Sequence, residues 1–152
     1  MKSKQDFSYI NLGLAAILII LAACTAGTRP VLPDTSGGAE AAGYTELLDA
    51  LRDAGATVEP AEPVNQAFLN ASGQIVRVDG ADVQVFEYAD ESAREADSDA
   101  IPEDGSSFPT IMVTWVGQPH FWAQGRLIVL YVGSDQAIID LLNDLLGDPI
   151  AG

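Results

Sequence analysis

Apolar residues recur at helical spacing in two places along the chain. Tyr44, Leu47, Leu48 and Leu51 fall on one face of the segment Tyr44–Ala54, and Gly55 follows as a C-terminal stop. Near the other end, Ile138, Leu141, Leu142 and Leu145 share a face; Ser134 or Asp135 can cap that helix, and Gly147 with Pro149 closes it. Between them the pattern changes to alternation. Residues 74–88 predict a hairpin, with Gln74–Val78 and Val83–Tyr88 as arms and Asp79-Gly80 as a strong turn dipeptide. In the second arm Val83, Val85 and Glu87 lie on one face and Gln84, Phe86 and Tyr88 on the other. Apolar residues on both faces predict a central strand.

Further strands are expected at Ala67–Leu69, at Thr110–Val116 and at Phe121–Ala123. Leu127–Val132, almost wholly apolar, predicts a buried strand after the turn Gln124-Gly125-Arg126. Thr57–Pro63 is short, acidic and broken by proline, which suits an edge strand leading into a loop. A third helix is expected over 91–101, with Ala93, Ala96 and Ala100 at helical spacing, Asp90 and Glu91 at its start and Pro102 as its stop. Strands grouped between separated helices predict an α+β two-layer sandwich, a mostly antiparallel sheet with helices packed on one face. In element order this resembles ferredoxin-like and related two-layer folds.

The N-terminus follows a different rule. Lys2 and Lys4 precede an uncharged apolar run, Leu12–Ala23, and the protein's one cysteine, Cys24, follows it directly. About 7–15 apolar residues after a basic tip is the size of a secretory h-region, whereas a spanning helix needs about 20. An uncleaved anchor is the alternative, because a slightly short span can be tolerated. Leu21-Ala22-Ala23-Cys24 resembles the lipobox of bacterial prolipoproteins. The resemblance covers residues 1–24 and implies cleavage between Ala23 and Cys24, with diacylglycerol on the cysteine sulfur. Thr25 is not Asp, so in a diderm host the analogy implies the outer membrane. The runs Asp82–Tyr88 and Gly125–Gly133 also resemble stretches of small uncharacterised bacterial lipoproteins, a likeness that implies an α+β domain and brings no activity.

This divides the chain into a signal peptide (1–23), a tether (24–42) and one globular domain (43–152). The tether holds Pro30, Pro33, Ser36, Gly37 and Gly38 without apolar periodicity. The net charge is −15, and loss of Lys2, Lys4 and Asp6 takes the mature chain to about −16, with no lysine and five arginines. Nucleic-acid binding needs a basic face, so it is disfavoured. Anionic lipid would also repel this surface, so the expected membrane attachment is the covalent lipid on Cys24. With that sulfur lipidated, no thiol remains for a disulfide, a nucleophile or a cysteine metal site.

His120 is the one histidine. A small hydrolase could use it as general base toward Ser106 or Ser107 with Asp104 as orienter, but Asp-Gly-Ser-Ser lacks the glycine pattern of a nucleophile elbow. The acids of 90–104 offer oxygen ligands for a divalent cation, yet Pro102 stands where an EF-hand loop needs glycine. Glu87 can pair with Arg77 or Arg126. No motif calls for a cofactor or a bound metal, and none assigns a catalytic residue. The remaining candidate is an aromatic groove for a ligand or envelope partner, formed by Trp115, His120, Phe121 and Trp122 around the break at Gly117–Pro119. The expected role is therefore a lipid-anchored, non-catalytic binding or structural module outside the cytoplasm.

Overall fold

A computed structural model describes residues 42–109 and 111–152. The expected signal peptide, Cys24 and the expected tether up to residue 41 lie outside the described residues. The described elements are α1 (Tyr44–Asp53), β1 (Val58–Asn65), β2 (Ser72–Val78), β3 (Ala81–Glu87), α2 (Glu91–Ser98), β4 (Pro119–Gln124), β5 (Leu127–Val132) and α3 (Gln136–Leu146). The five strands form one sheet in the order β1-β2-β3-β5-β4, and each neighbouring pair is antiparallel. The protein is an α+β fold.

The β2–β3 hairpin turns at Asp79 (φ 50°) and Gly80 (φ 87°), the two positive φ values that a tight turn matched to strand twist requires. Asp79 also ties this turn to the start of β1: its carboxylate accepts from Thr57 N at 2.8 Å and its own N–H donates to Thr57 O at 2.9 Å. β3 is the middle strand, and its alternation feeds two cores. Val83 and Val85 face α1 and α3, where Leu47, Leu51, Ile138, Leu142 and Trp122 are packed with them. Phe86 faces the other way, with Phe121, Ile128, Leu130 and Leu69. β5, paired on both sides, is buried along Leu127–Tyr131, as its apolar run predicts.

Helices α1 and α3 thus share one face of the sheet. The opposite core is closed differently, by Phe68, Ile101, Phe108, Ile111, Val113 and Trp115 from irregular segments. Helix α2 is fastened on that side through Asp97, which binds the Tyr88 hydroxyl.

Both sheet edges are blocked. β1 carries Pro60 and Pro63 with a register shift between them, and its Glu59 and Glu62 are exposed, devices that discourage further pairing. The β4 edge is taken by the chain itself: Phe121 N donates to Ala151 O at 2.9 Å, and Ile150 N donates to Phe121 O at 2.7 Å.

Three expected elements differ. The segment expected as a strand at Thr110–Val116 is not in the sheet; Ile111–Val116 runs extended across the second core, with one isolated bridge between Met112 and Ser107. Its place is filled, because β5 lies beside β3 and residues 150–151 take the outer edge of β4. Ala67–Leu69 is a turn, closed by Leu69 N donating to Gln66 O, rather than a strand. Finally, the helix expected over 91–101 ends at Ser98; Ala93, Ala96 and Ala100 are exposed, and the inward residue is Asp97, only 5% exposed. An acid can face inward there because the fold supplies it with donors.

Candidate functional site

The four residues of the expected aromatic groove do not share one surface. Successive strand residues point to opposite faces, so β4 sends Phe121 to the second core and Trp122 to the first, and both are fully buried. Trp122 donates its indole N–H to Asn143 Oδ1 of α3 at 2.9 Å. His120 lies on the Trp122 side, half-buried, its ring stacked with Tyr131 at 6.3 Å between centroids. Its Nε2 is 3.2 Å from Gly133 O. Trp115 is on the opposite side, its indole N–H donating to Gly105 O at 2.8 Å and its ring edge-on to Phe121 and Phe68. Phe68 in turn stacks on Phe108 at 4.2 Å. These aromatics are core and loop fastenings.

The hydrolase constellation is not assembled either. The Ser107 hydroxyl donates to Asp104 Oδ2 at 2.6 Å, while Ser106 N and Ser107 N each donate to Asp104 Oδ1 at 2.9 Å. Those bonds, led by the Ser107 hydroxyl, hold the Asp104 carboxyl below its usual range. Asp104 is therefore the organiser of a tight loop, and His120 is engaged by Gly133 rather than by a serine.

Asp90, Glu91, Glu95, Asp97 and Asp104 have separate tasks. Asp90 caps α2 by accepting from Ala93 N at 2.9 Å. Glu91 and Glu95 pair with Arg94, whose Nε donates to Gly125 O at 3.1 Å. Asp97 accepts from Asn70 N, Asn70 Nδ2 and the Tyr88 hydroxyl at 2.6, 2.5 and 2.7 Å. Among the described residues, no group of three or more histidine, cysteine or acidic side chains is placed to hold a metal ion.

Sequence reasoning missed the Asp97 cluster. Burial pushes the Tyr88 hydroxyl far above the usual tyrosine range, and the bond and charge of Asp97 act in the same direction. The cluster borders a cleft of about 440 Å³ lined by Ala71, Ala89, Ala93 and Ala96. The signal was faint: an acid within a helix, seven residues after its cap, with Tyr88 and Asn70 upstream.

The start of the domain is also fixed. Ala42 O accepts from Arg126 N at 3.1 Å, and a Cβ on Gly125 (φ +52°) would stand 2.8 Å from Ala42 Cα. Glu87 completes the clasp. Its Oε1 binds Arg126 Nη2 at 2.8 Å and accepts from Tyr44 N at 3.2 Å. Residues 42–44 therefore dock on the β4–β5 turn.

Among the described residues the exposed large apolar side chains are Met112, Val116 and Ile150, the first two 83% and 102% exposed. Both lie on the extended ribbon that crosses the second core. Among the described residues no helix is long and apolar enough to cross a membrane. Compared with protein families, curated proteins and solved structures, the chain matches none of them.

Proposed function

We propose that this chain is a lipid-anchored extracytoplasmic envelope protein whose globular domain is a non-catalytic binding or structural module. The observation that carries the reading is Cys24, the one cysteine of the chain, set directly behind the apolar run Leu12–Ala23 and a basic tip. After cleavage between Ala23 and Cys24, the thiol takes the lipid. One acyl chain binds a membrane only marginally and two or more hold it durably, at about 0.8 kcal/mol per buried CH₂. The acidic surface makes that covalent route necessary, since anionic lipid repels it. In a diderm host the address is the outer membrane.

The non-catalytic part of the reading is supported by the engagement of the reactive side chains. Ser107 is bonded to Asp104 and His120 to Gly133, and neither is bonded to the other.

The test is Cys24→Ser in the native host. Mass spectrometry of the wild-type protein should show a lipid adduct on Cys24, and the variant should lose both the adduct and its membrane location. Unchanged mass and fractionation would reject the anchor. Turnover of ester or peptide substrates that His120→Ala abolishes would reject the non-catalytic reading.

A further inference from the structure

We propose that the ribbon Ile111–Val116 is a docking edge to which an extended, basic-flanked segment of a partner protein adds as a strand. This docking rests on the domain being a binding module, as proposed above, and is independent of the lipid.

The ribbon has the composition of a strand, rich in β-branched and aromatic residues. It also has a strand's alternation: Ile111, Val113 and Trp115 turn inward, and Met112, Thr114 and Val116 outward. Yet it belongs to no sheet. Its one backbone attachment among the described residues is on a single side, where Val113 N donates to Ser106 O at 3.1 Å beside the Met112–Ser107 bridge. In an extended chain successive N–H groups point to opposite sides. The Thr114 N–H therefore points away from Ser106, and among the described residues it has no partner.

A free strand edge pairs with another strand, as β-augmentation sites do. Elsewhere this protein blocks its edges, with proline on β1 and residues 150–151 on β4. Among the described residues the ribbon keeps an open side and carries the exposed apolar Met112 and Val116. It is also held rigid from below by the Trp115–Gly105 bond and the aromatic contacts with Phe68 and Phe121. Preorganisation of this kind lowers the ordering cost of binding.

Charge selects the occupant. No lysine or arginine occurs from Glu95 to Gly125, a stretch that contains the whole ribbon, and the chain's net charge is −15. A segment with lysine or arginine at its ends complements that charge. A second copy would bring another chain of net charge −15, with no lysine or arginine in its own ribbon stretch to pair with it.

The test uses the full chain in detergent micelles and a synthetic peptide of about seven residues, valine and threonine alternating between lysine ends. Amide NMR shifts should saturate and fall on the ribbon. Glutamate ends should weaken binding by about tenfold or more, as should N-methylation of the alternate peptide amides that face the ribbon, which leaves the peptide side chains intact. On the protein, Thr114→Pro removes the free donor and should lose binding by a similar factor, while Thr114→Ala should keep it. The N-methylated peptide keeps the test valid if the proline variant does not fold. Cys24→Ser should bind the lysine-ended peptide unchanged, so failure of the anchor and failure of docking are separate results. Absence of saturable shifts, indifference to N-methylation, shifts centred elsewhere, or dimerisation through the ribbon would each overturn the proposal.

Discussion

Replacing Asp97 by alanine tests the reasoning about the second core most directly. The carboxylate is 5% exposed and serves three donors: Asn70 N, Asn70 Nδ2 and the Tyr88 hydroxyl. A hydrogen bond to a charged group contributes about 1.5–3 kcal/mol net, and a buried donor left unpaired costs about 1–3 kcal/mol. Two terms reduce the sum. Alanine removes the desolvation cost of a buried carboxylate, and the adjoining cleft of about 440 Å³ can admit water to the abandoned donors. A loss of about 2–4 kcal/mol follows, at the upper end of ordinary single substitutions. Tyr88→Phe removes one bond and should cost about 1.5–3 kcal/mol. The two are in contact, so the double variant should lose less than the sum, with a coupling of about 1 kcal/mol or more. Urea denaturation followed by circular dichroism at neutral pH measures all three. A loss under about 1 kcal/mol for Asp97→Ala, or strict additivity with Tyr88→Phe, would refute the claim that this acid ties α2 and the 66–71 turn to the sheet.

Other expectations can be checked with the same protein. Tyr88 resists ionisation in the folded state, whereas an unfolded tyrosine loses its proton near pH 10, so the stabilising effect is present below about pH 10 and falls by about 1.4 kcal/mol per unit above it; denaturation at stepped alkaline pH should lose this slope in Tyr88→Phe. Gly125→Val places a β-branched residue at φ +52° and drives its Cβ onto Ala42; a loss of about 2 kcal/mol or more is expected, with faster proteolysis near residue 42, and a wild-type melting curve would contradict the clasp. Trp122→Phe strands Asn143 Oδ1 and leaves a gap beneath α3, so thermal melting should report about 2 kcal/mol or more lost. Met112→Ser and Val116→Ser remove side chains that touch little and should each change stability by less than about 0.5 kcal/mol; a larger loss would mean that the ribbon's outer face is covered.

Local patterns were enough for the elements whose neighbours in sequence are also their neighbours in space. The α1 and α3 faces, the Asp79-Gly80 hairpin, the β4–β5 pair and the central position of β3 were all legible, because each rests on periodicity, a cap or a turn dipeptide. The pairing of Glu87 with Arg126 was one of two partners its charge allowed, and the fold selected it. The aromatic groove was not legible: Trp115, His120, Phe121 and Trp122 are close in sequence, but the pleat sends neighbours to opposite faces. The Asp97 cluster was hidden for the complementary reason, since Asn70 and Tyr88 reach it from separate strands and turns.

What the sequence by itself determined is therefore the α+β class and its main elements, the acidic lysine-poor surface, and the motif on which the proposed lipid anchor rests. Tertiary structure alone decided that Ile111–Val116, a strand by composition, stays outside the sheet, and that the inward residue of α2 is an aspartate. Both outcomes depend on long-range competition. Residues 150–151 occupy the edge that the ribbon could have joined, and donors from Asn70 and Tyr88 make a buried acid tolerable. Composition and spacing describe what a segment can do; which partners reach it first in space decides what it does.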